Sequence, residues 1–142
     1  SHNKLKSLPN LPEHLCGLNC SWNLLKLITD LPPILYELKC NNNQLTKISE
    51  LGVRCWYLDC RNNNLNSLPT FTDTIAQIYC SNNKLKKLPP LTNYLCKLDC
   101  SSNLLKKLPE LPIRLRYLNC SNNQLKEIPT LPEEFDIKNL IK

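Results

Sequence analysis

Residues 115–132 read LRYLNCSNNQLKEIPTLP, and the same arrangement of leucine, cysteine, asparagine and proline returns along the chain every 20 residues. The cysteines keep this step without a slip, at Cys20, Cys40, Cys60, Cys80, Cys100 and Cys120. The asparagines keep it too, at Asn3, Asn23, Asn43, Asn63, Asn83, Asn103 and Asn123. A fixed period of this length is the signature of a solenoid, in which each repeat stacks on the next.

The period predicts one elongated domain over residues 3–132. It consists of a partial leading repeat from Asn3 and six full 20-residue repeats, which start at residues 15, 35, 55, 75, 95 and 115. A single repeat is too short to bury its own apolar face. Stability therefore has to come from the stacking of neighbouring repeats.

The two ends depart from the repeat. Ser1 and His2 precede the first residue that fits the pattern, and we expect them to be the remnant of an expression tag. Residues 133–142 form a degenerate tail, because Lys138 falls where a core leucine should be. We expect this tail to be either a cap, with a short helix over 133–141, or the truncated start of another repeat.

The pattern within a repeat predicts a short strand followed by an extended return. In the segment Tyr57-Leu58-Asp59-Cys60 the side chains alternate outward and inward, and successive strands of this kind should align into a parallel sheet on the concave side. Proline at every third residue, as in 128–132, matches the polyproline II period and excludes a helix interior. The expected fold is a right-handed superhelix with extended or polyproline II segments on the convex side and little helix. Residues 48–53 lack proline, which predicts a looser back in the second repeat.

The asparagine and cysteine columns are expected to be structural. An asparagine amide offers donors and an acceptor, so a column of them can pair backbone groups within and between turns. The six cysteines of the 20-residue ladder replace core leucines and are expected to be buried free thiols, which favours a reducing compartment. Cys16 and Cys96 each form a C-x3-C pair with a ladder cysteine, but no nearby histidine completes a zinc set. No metal and no cofactor is expected.

The segment Leu118-Asn119-Cys120-Ser121-Asn122-Asn123-Gln124-Leu125 has the spacing of a leucine-rich repeat. With the following leucine-proline pairs, it resembles the short leucine-rich repeats of bacterial secreted effectors of the YopM and IpaH type. It is similar as well to leucine-rich repeat proteins encoded by giant DNA viruses of amoebae. The resemblance implies a recognition module. The catalytic ligase domain and the helical N-terminal hairpin of the effectors have no counterpart in these residues, so no enzymatic role is carried over.

The residues that the repeat leaves free carry the functional prediction. Positions two, three, five, seven and eight of each repeat should face solvent, and aromatics collect there in the middle repeats. Because Trp, Tyr and Arg are enriched at interface hot spots, we expect a protein partner on the concave face. The predicted binding residues are Tyr36, Trp56, Tyr57, Asp59, Arg61, Tyr79, Lys97, Asp99, Arg116 and Tyr117.

Two other functions stay open at this stage. The net charge of +6 comes mainly from stacked lysine rows, which could follow nucleic acid or an anionic membrane: Lys6, Lys26, Lys86, Lys106, Lys126, Lys47, Lys87 and Lys107. The chain could instead be the substrate-recognition domain of a larger effector or ubiquitin ligase. Catalysis is not expected, because His14 is the one histidine besides the tag-like His2. We expect a cytoplasmic protein, with a host cytoplasm as one possibility, that is a monomer or a weak homodimer.

Overall fold

The computed structural model describes residues 3–142, so Ser1 and His2, the expected tag remnant, lie outside the described residues. The chain winds into a solenoid of parallel strands. Seven of them form one concave sheet, in the order β1 (Gly17–Asn19), β3 (Glu37–Lys39), β5 (Tyr57–Asp59), β6 (Gln77–Tyr79), β7 (Lys97–Asp99), β8 (Tyr117–Asn119) and β9 (Leu140–Ile141). Two further strands, β2 (Leu27–Ile28) and β4 (Lys47–Ile48), pair with each other on the convex side.

The 20-residue period sets the register of the concave sheet. Leu38 lies opposite Leu58, and Leu58 lies opposite Ile78, so that equivalent positions stack on one another. These central strand residues are fully buried, whereas their neighbours on the strand point away from the core. The cysteine ladder lies in the same core, and Cys40, Cys60, Cys80 and Cys100 are completely buried. The prediction of a parallel sheet with a leucine and cysteine core is confirmed.

The asparagine ladder bridges successive turns as predicted. The side chain of Asn83 donates from Nδ2 to the carbonyl oxygens of Cys60 at 3.0 Å and Cys80 at 3.2 Å. Its Oδ1 accepts the backbone N–H of Leu65 at 2.9 Å, and Leu65 belongs to the preceding repeat. The equivalent bonds recur at Asn43, Asn63, Asn103 and Asn123. Each of these amides thus pairs backbone groups of two turns.

The residue before each ladder asparagine has a left-handed backbone. Its φ lies between 52° and 59° in all six full repeats, at Trp22, Asn42, Asn62, Asn82, Ser102 and Asn122. Asparagine tolerates this region better than other residues with a side chain, because its short amide bonds locally. Four of the six repeats carry asparagine here, so backbone conformation explains this column. From the sequence alone, this position is predicted only to face solvent.

The convex back is extended, and its hydrogen bonding depends on proline. The N–H of Ser49 donates to the carbonyl oxygen of Ile28 at 2.8 Å, beside the pairing of β2 with β4. Later repeats place Pro69, Pro89, Pro109 and Pro129 at the position of Ser49. Proline has no N–H to donate, which explains why the convex pairing is confined to the two repeats that lack it there.

The prediction of a looser back in the second repeat is wrong. Besides β4, this stretch contains Gly52, which is buried against the preceding repeat. A Cβ added to Gly52 would lie 2.5 Å from the carbonyl oxygen of Pro33. The absence of proline therefore gives the second repeat an additional strand and a close backbone contact.

The tail does not form the expected helix over 133–141. A single 3-10 turn spans Ile137–Asn139, with the side chain of Asp136 accepting the N–H of Lys138 at 3.0 Å. The chain then returns to the sheet as β9, where Leu140 pairs with Leu118 after a step of 22 residues instead of 20. The 3-10 turn absorbs the two extra residues, which places Leu140 rather than Lys138 at the core position.

We predict that Asn83→Ala lowers the free energy of unfolding by about 2 to 4 kcal/mol, because it leaves buried backbone groups without partners. Urea unfolding followed by circular dichroism measures the change. Asn123→Ala is the matched comparison, since Asn123 makes the same set of bonds in the last full repeat but is partly exposed. Its loss should be smaller, because water reaches the groups left behind. Equal losses at the two positions would contradict this account.

We also predict that Ser102→Asn raises the free energy of unfolding by up to about 1 kcal/mol, because asparagine accepts the left-handed backbone at a lower cost. The urea midpoint reports the change. Ser67→Asn serves as the control, since Ser67 is exposed and lies outside the left-handed region. No gain at position 102, or an equal gain at both positions, would argue against the backbone explanation.

Candidate functional site

The concave sheet brings the aromatic residues of the middle repeats together. Trp56 packs edge-on against Tyr57, with ring centroids 5.6 Å apart and an interplanar angle of 67°. Tyr57 in turn contacts Tyr79 of the next strand at 5.6 Å between centroids. Register explains the second contact, since Tyr57 pairs with Gln77 and Tyr79 is the diagonal neighbour two residues further on. We call Trp56, Tyr57 and Tyr79 the concave aromatic cluster.

Two cations cover the cluster. The Nζ of Lys39 lies 5.4 Å from the centroid of the Tyr57 ring, and the Cζ of Arg61 lies 5.3 Å from that of Tyr79. Each cation is held by a carboxylate of its own repeat: Lys39 by Glu37 at 2.6 Å, and Arg61 by Asp59 at 2.7 Å. The charges cancel, so the surface combines exposed rings with locally neutral ion pairs.

The environment favours the protonated forms of the two phenols and the two cations of this surface. Burial is the main cause that raises the pKa of Tyr57 and of Tyr79, so both phenols keep their protons near neutral pH. The hydrogen bond to Asp59 raises the pKa of Arg61, and the hydrogen bond to Glu37 raises that of Lys39. The surface therefore presents protonated phenols and stable cations, and the O–H of Tyr79 is donated to Oε1 of Gln77 at 3.1 Å.

Asp59 is the clearest departure from the sequence-based prediction. It was expected to face solvent as a binding residue, but only 3% of its surface is exposed. Its carboxylate accepts from Nε of Arg61 at 2.9 Å and from Nη2 at 2.7 Å, and the bulk of Arg61 and Tyr79 covers it. Asp59 thus holds Arg61 in place over Tyr79. Position seven is likewise less open than expected, since Ser81 and Ser101 are buried.

The remaining predicted residues have separate local roles. Tyr36 is exposed beside the cluster, and its hydroxyl accepts from Nη1 of Arg54 at 3.1 Å. Asp99 accepts from the hydroxyl of Ser101 at 2.7 Å. Arg116 pairs with the exposed Glu134 at 2.6 Å. Lys97 is exposed and Tyr117 half-buried, both on the strands that follow the cluster.

A second set of exposed residues lies in the turns that lead into the strands, outside the positions that the sequence predicted to face a partner. Val53 and Ile113 are 69% and 73% exposed. Tyr94 lies in the turn one repeat before that of Ile113. Its ring centroid is 4.9 Å from Cζ of Arg114, so the ring lies under this guanidinium. These residues stand at the last two positions of the 20-residue period. The signal for them in the sequence is the apolar or aromatic side chain at these two positions, as at Val53, Tyr94 and Ile113.

The structure offers little to support catalysis. His14 is exposed in a turn before β1. Burial raises the pKa of Cys20 and of Cys55 to about 11 and holds that of Cys40 and Cys80 well above its usual range, so the reactive thiolate is disfavoured. Within residues 3–142, no group of three or more His, Cys, Asp or Glu side chains is placed to hold a metal ion. No helix in the same range has the length and apolar character needed to cross a membrane.

These features define a leucine-rich repeat solenoid with 20-residue repeats. No family model and no curated protein matches the sequence, but solved structures do. YopM from Yersinia enterocolitica WA-314 has a TM-score of 0.80 and 31% identity, covering 99% of this chain and 35% of that one. YopM from Yersinia pestis has a TM-score of 0.64 and 31% identity, covering 99% of this chain and 52% of the other. A Shigella effector leucine-rich repeat domain has a TM-score of 0.83 and 31% identity, covering 91% of this chain and 62% of that domain.

The comparison matches the resemblance to bacterial effector repeats that the sequence suggested. This chain spans between 35% and 62% of the length of these neighbours. The shared part is the repeat scaffold, and a fold of this kind is in general a protein-interaction module.

We predict that the nine thiols of the native protein fall into two classes, those that a thiol reagent reaches and those that are buried. A thiol reagent should modify Cys16 first, because it is exposed, and Cys96 next, because it is partly buried and its Sγ donates to the carbonyl oxygen of Ala76. The other cysteines should react only after unfolding, and the denatured, unreduced protein should then titrate with nine thiols in total. A total well below nine would mean that disulfides form.

Proposed function

We propose that this chain is a non-catalytic interaction module that binds a protein partner on its concave face, centred on the concave aromatic cluster. The observation that carries the proposal is the contact of Trp56, Tyr57 and Tyr79 in one continuous ring surface, of which Trp56 is 43% exposed. A few hot-spot residues supply most of the binding energy in protein interfaces, and Trp, Tyr and Arg are enriched among them. An exposed aromatic patch in the middle of a curved sheet is well placed to supply it here.

The cluster is ordered before a partner arrives. Tyr57 and Tyr79 are half-buried, and each is held by a neighbouring ring and by a cation that is itself held by a carboxylate. Side chains that are already fixed lose little conformational entropy on binding. Asp59 and Glu37 contribute to recognition through this positioning of Arg61 and Lys39.

The charge of the cluster favours a partner recognised by shape and apolar contact. Lys39 and Arg61 are neutralised by Glu37 and Asp59, so no net field draws a polyanion to this surface. Binding at the cluster should therefore persist at high salt, because screening weakens charge steering far more than ring packing. The aromatic patch and the lysine rows thus differ in their expected response to ionic strength.

The effector neighbours support a role in a host cytoplasm, and a monomer or weak homodimer is the state we propose. YopM is described as a leucine-rich effector protein, and the Shigella neighbour as the leucine-rich repeat domain of an effector. Because the chain covers only part of them, the activities of those whole proteins are not transferred. The alternative role as the substrate-recognition domain of a larger effector or ligase rests on the resemblance alone.

We predict that the double variant Trp56→Ala/Tyr79→Ala loses partner binding while it stays folded, because both rings lie on the surface of the sheet. The test is affinity capture from eukaryotic cytosolic extract, compared by mass spectrometry for the native chain and the variant, at low and at high salt. Proteins retained by the native chain should be depleted at least about tenfold with the variant, as expected for the loss of hot-spot residues.

Tyr94→Ala is the matched control. Tyr94 is 55% exposed and lies under a cation, as the cluster tyrosines do, but it stands in a strand-entry turn. Binding that survives in Tyr94→Ala and is lost in the double variant supports the concave site. Capture that is unchanged in the folded double variant would remove the cluster from the interface.

A further inference from the structure

The positive charge of the chain is concentrated on one side of the solenoid. The positions that follow each ladder asparagine are residues 4–7, 24–27, 44–47, 64–67, 84–87, 104–107 and 124–127. They contain ten lysines and one glutamate, a net charge of +9, so the rest of the chain carries −3. We call this set the lysine face. Its lysines are Lys4, Lys6, Lys26, Lys47, Lys84, Lys86, Lys87, Lys106, Lys107 and Lys126.

These lysines are presented to solvent without carboxylate partners. All ten are exposed. The ion pairs within residues 3–142 join Lys39 to Glu37, Arg61 to Asp59 and Arg116 to Glu134, all outside this face. The repeat stacks Lys86, Lys106 and Lys126 in one row, at about the 4.8 Å spacing of neighbouring strands. Like charges at this spacing repel one another, and a bound anionic surface would relieve that repulsion.

The face extends over the side of the solenoid. A shallow concavity lined by Lys6, Leu24, Lys26 and Gln44 shows that the tenth and twelfth positions of the repeat share one surface. The thirteenth position turns toward the convex back, where Lys107 lines a groove with Leu108, Pro129 and Glu127, the one carboxylate of the face. Because equivalent positions stack from turn to turn, the lysines form rows along the solenoid axis, and Thr46 and Asn66 interrupt the row at the twelfth position.

Exposed leucines lie among the lysines. Leu5, Leu27 and Leu104 are 47%, 52% and 38% exposed. They are the exposed leucines within residues 3–142, and all three belong to the lysine face. The other leucines of the described chain are buried or half-buried. Leucine beside lysine on an open surface is the composition of segments that rest in the interface of a membrane, where lysine meets the headgroups and leucine enters the acyl boundary.

We propose that the lysine face binds the surface of an anionic lipid bilayer. Rows of lysine on one side of a rod can approach a planar anionic surface together, and each lysine adds to the attraction. Leu27 and Leu104 reach the boundary between headgroups and acyl chains, which gives the contact a component that salt does not screen. The concave aromatic cluster lies on a different face of the solenoid and stays available for its partner.

Nucleic acid fits the same face less well. Duplex readout relies on arginine forks, and single strands stack on aromatic rings. The four arginines of the chain are Arg54, Arg61, Arg114 and Arg116, all outside the lysine face, and none of its residues is aromatic. The exposed leucines would gain nothing from a phosphate backbone. The composition therefore favours lipid.

Co-sedimentation with vesicles measures how much the lysines contribute to lipid binding. The anionic vesicles contain phosphatidylcholine and phosphatidylserine, and pure phosphatidylcholine vesicles are the reference. Lys86→Gln/Lys106→Gln/Lys126→Gln should bind the anionic vesicles about 100-fold more weakly, since each lysine near an anionic surface contributes about fivefold. The control Arg54→Gln/Arg114→Gln/Lys138→Gln removes the same charge from exposed positions outside the lysine face and should bind nearly as the native chain does. Equal losses in the two variants, or equal binding to both kinds of vesicle, would overturn the proposal.

The apolar component separates lipid from other polyanions. Leu27→Ser/Leu104→Ser should weaken vesicle binding about tenfold at high salt, since two exposed leucines leave the acyl boundary. Val53→Ser/Ile113→Ser removes two exposed apolar side chains from the strand-entry turns and should have no effect. A duplex or single-stranded oligonucleotide that binds more tightly than the anionic vesicles, with the leucine variant unchanged, would overturn lipid in favour of nucleic acid. Thermal unfolding confirms that each variant is folded.

Discussion

Each turn of this solenoid depends on a buried asparagine amide that holds it to the next. At the exit of every concave strand the chain bends inward, and its carbonyl and N–H groups leave the sheet before they can find sheet partners. The Nδ2 group of Asn63 bonds the carbonyl oxygens of Cys40 and Cys60, and its Oδ1 accepts the N–H of Leu45. Without this bridge the bend would bury unpaired backbone groups, at a cost that a single repeat of this size could not offset.

The ladder also shapes the sequence around it. The residue before each asparagine has to enter the left-handed region, which favours a second asparagine. The residue three positions before each ladder asparagine lies in the core beneath the bend and has to be small and apolar. The ladder cysteines occupy this position. Burial keeps those thiols protonated. The core and the ladder therefore fix the residue type at most positions of each repeat. Residue type can vary only on the strand face, on the strand-exit side and in the turns.

The variable positions divide into two surfaces with opposite character. On the concave face, cations and carboxylates neutralise one another around the aromatic rings, as at Arg61 and Asp59. On the strand-exit side, lysines stand without carboxylate partners and exposed leucines lie among them. Ring packing depends weakly on salt and lysine rows depend on it strongly. The two surfaces can thus serve two partners on one rigid scaffold.

The sequence by itself determined the repeat, the parallel sheet, the core columns and the ladder, because a period of 20 residues imposes one environment on each column. The tertiary structure decided how residues of different columns meet. Tyr57 reaches Tyr79 and Lys39 along diagonals between strands, and Asp59 is buried by the guanidinium that it binds. The tertiary structure also decided how departures from the period are accommodated. The 3-10 turn before Leu140 accommodates two extra residues. The convex strand at Lys47 forms because this repeat lacks the proline that follows in later repeats. The column pattern predicts the residue types that all repeats share. These contacts depend instead on residue types that differ from one repeat to the next, and on which of them come together in space.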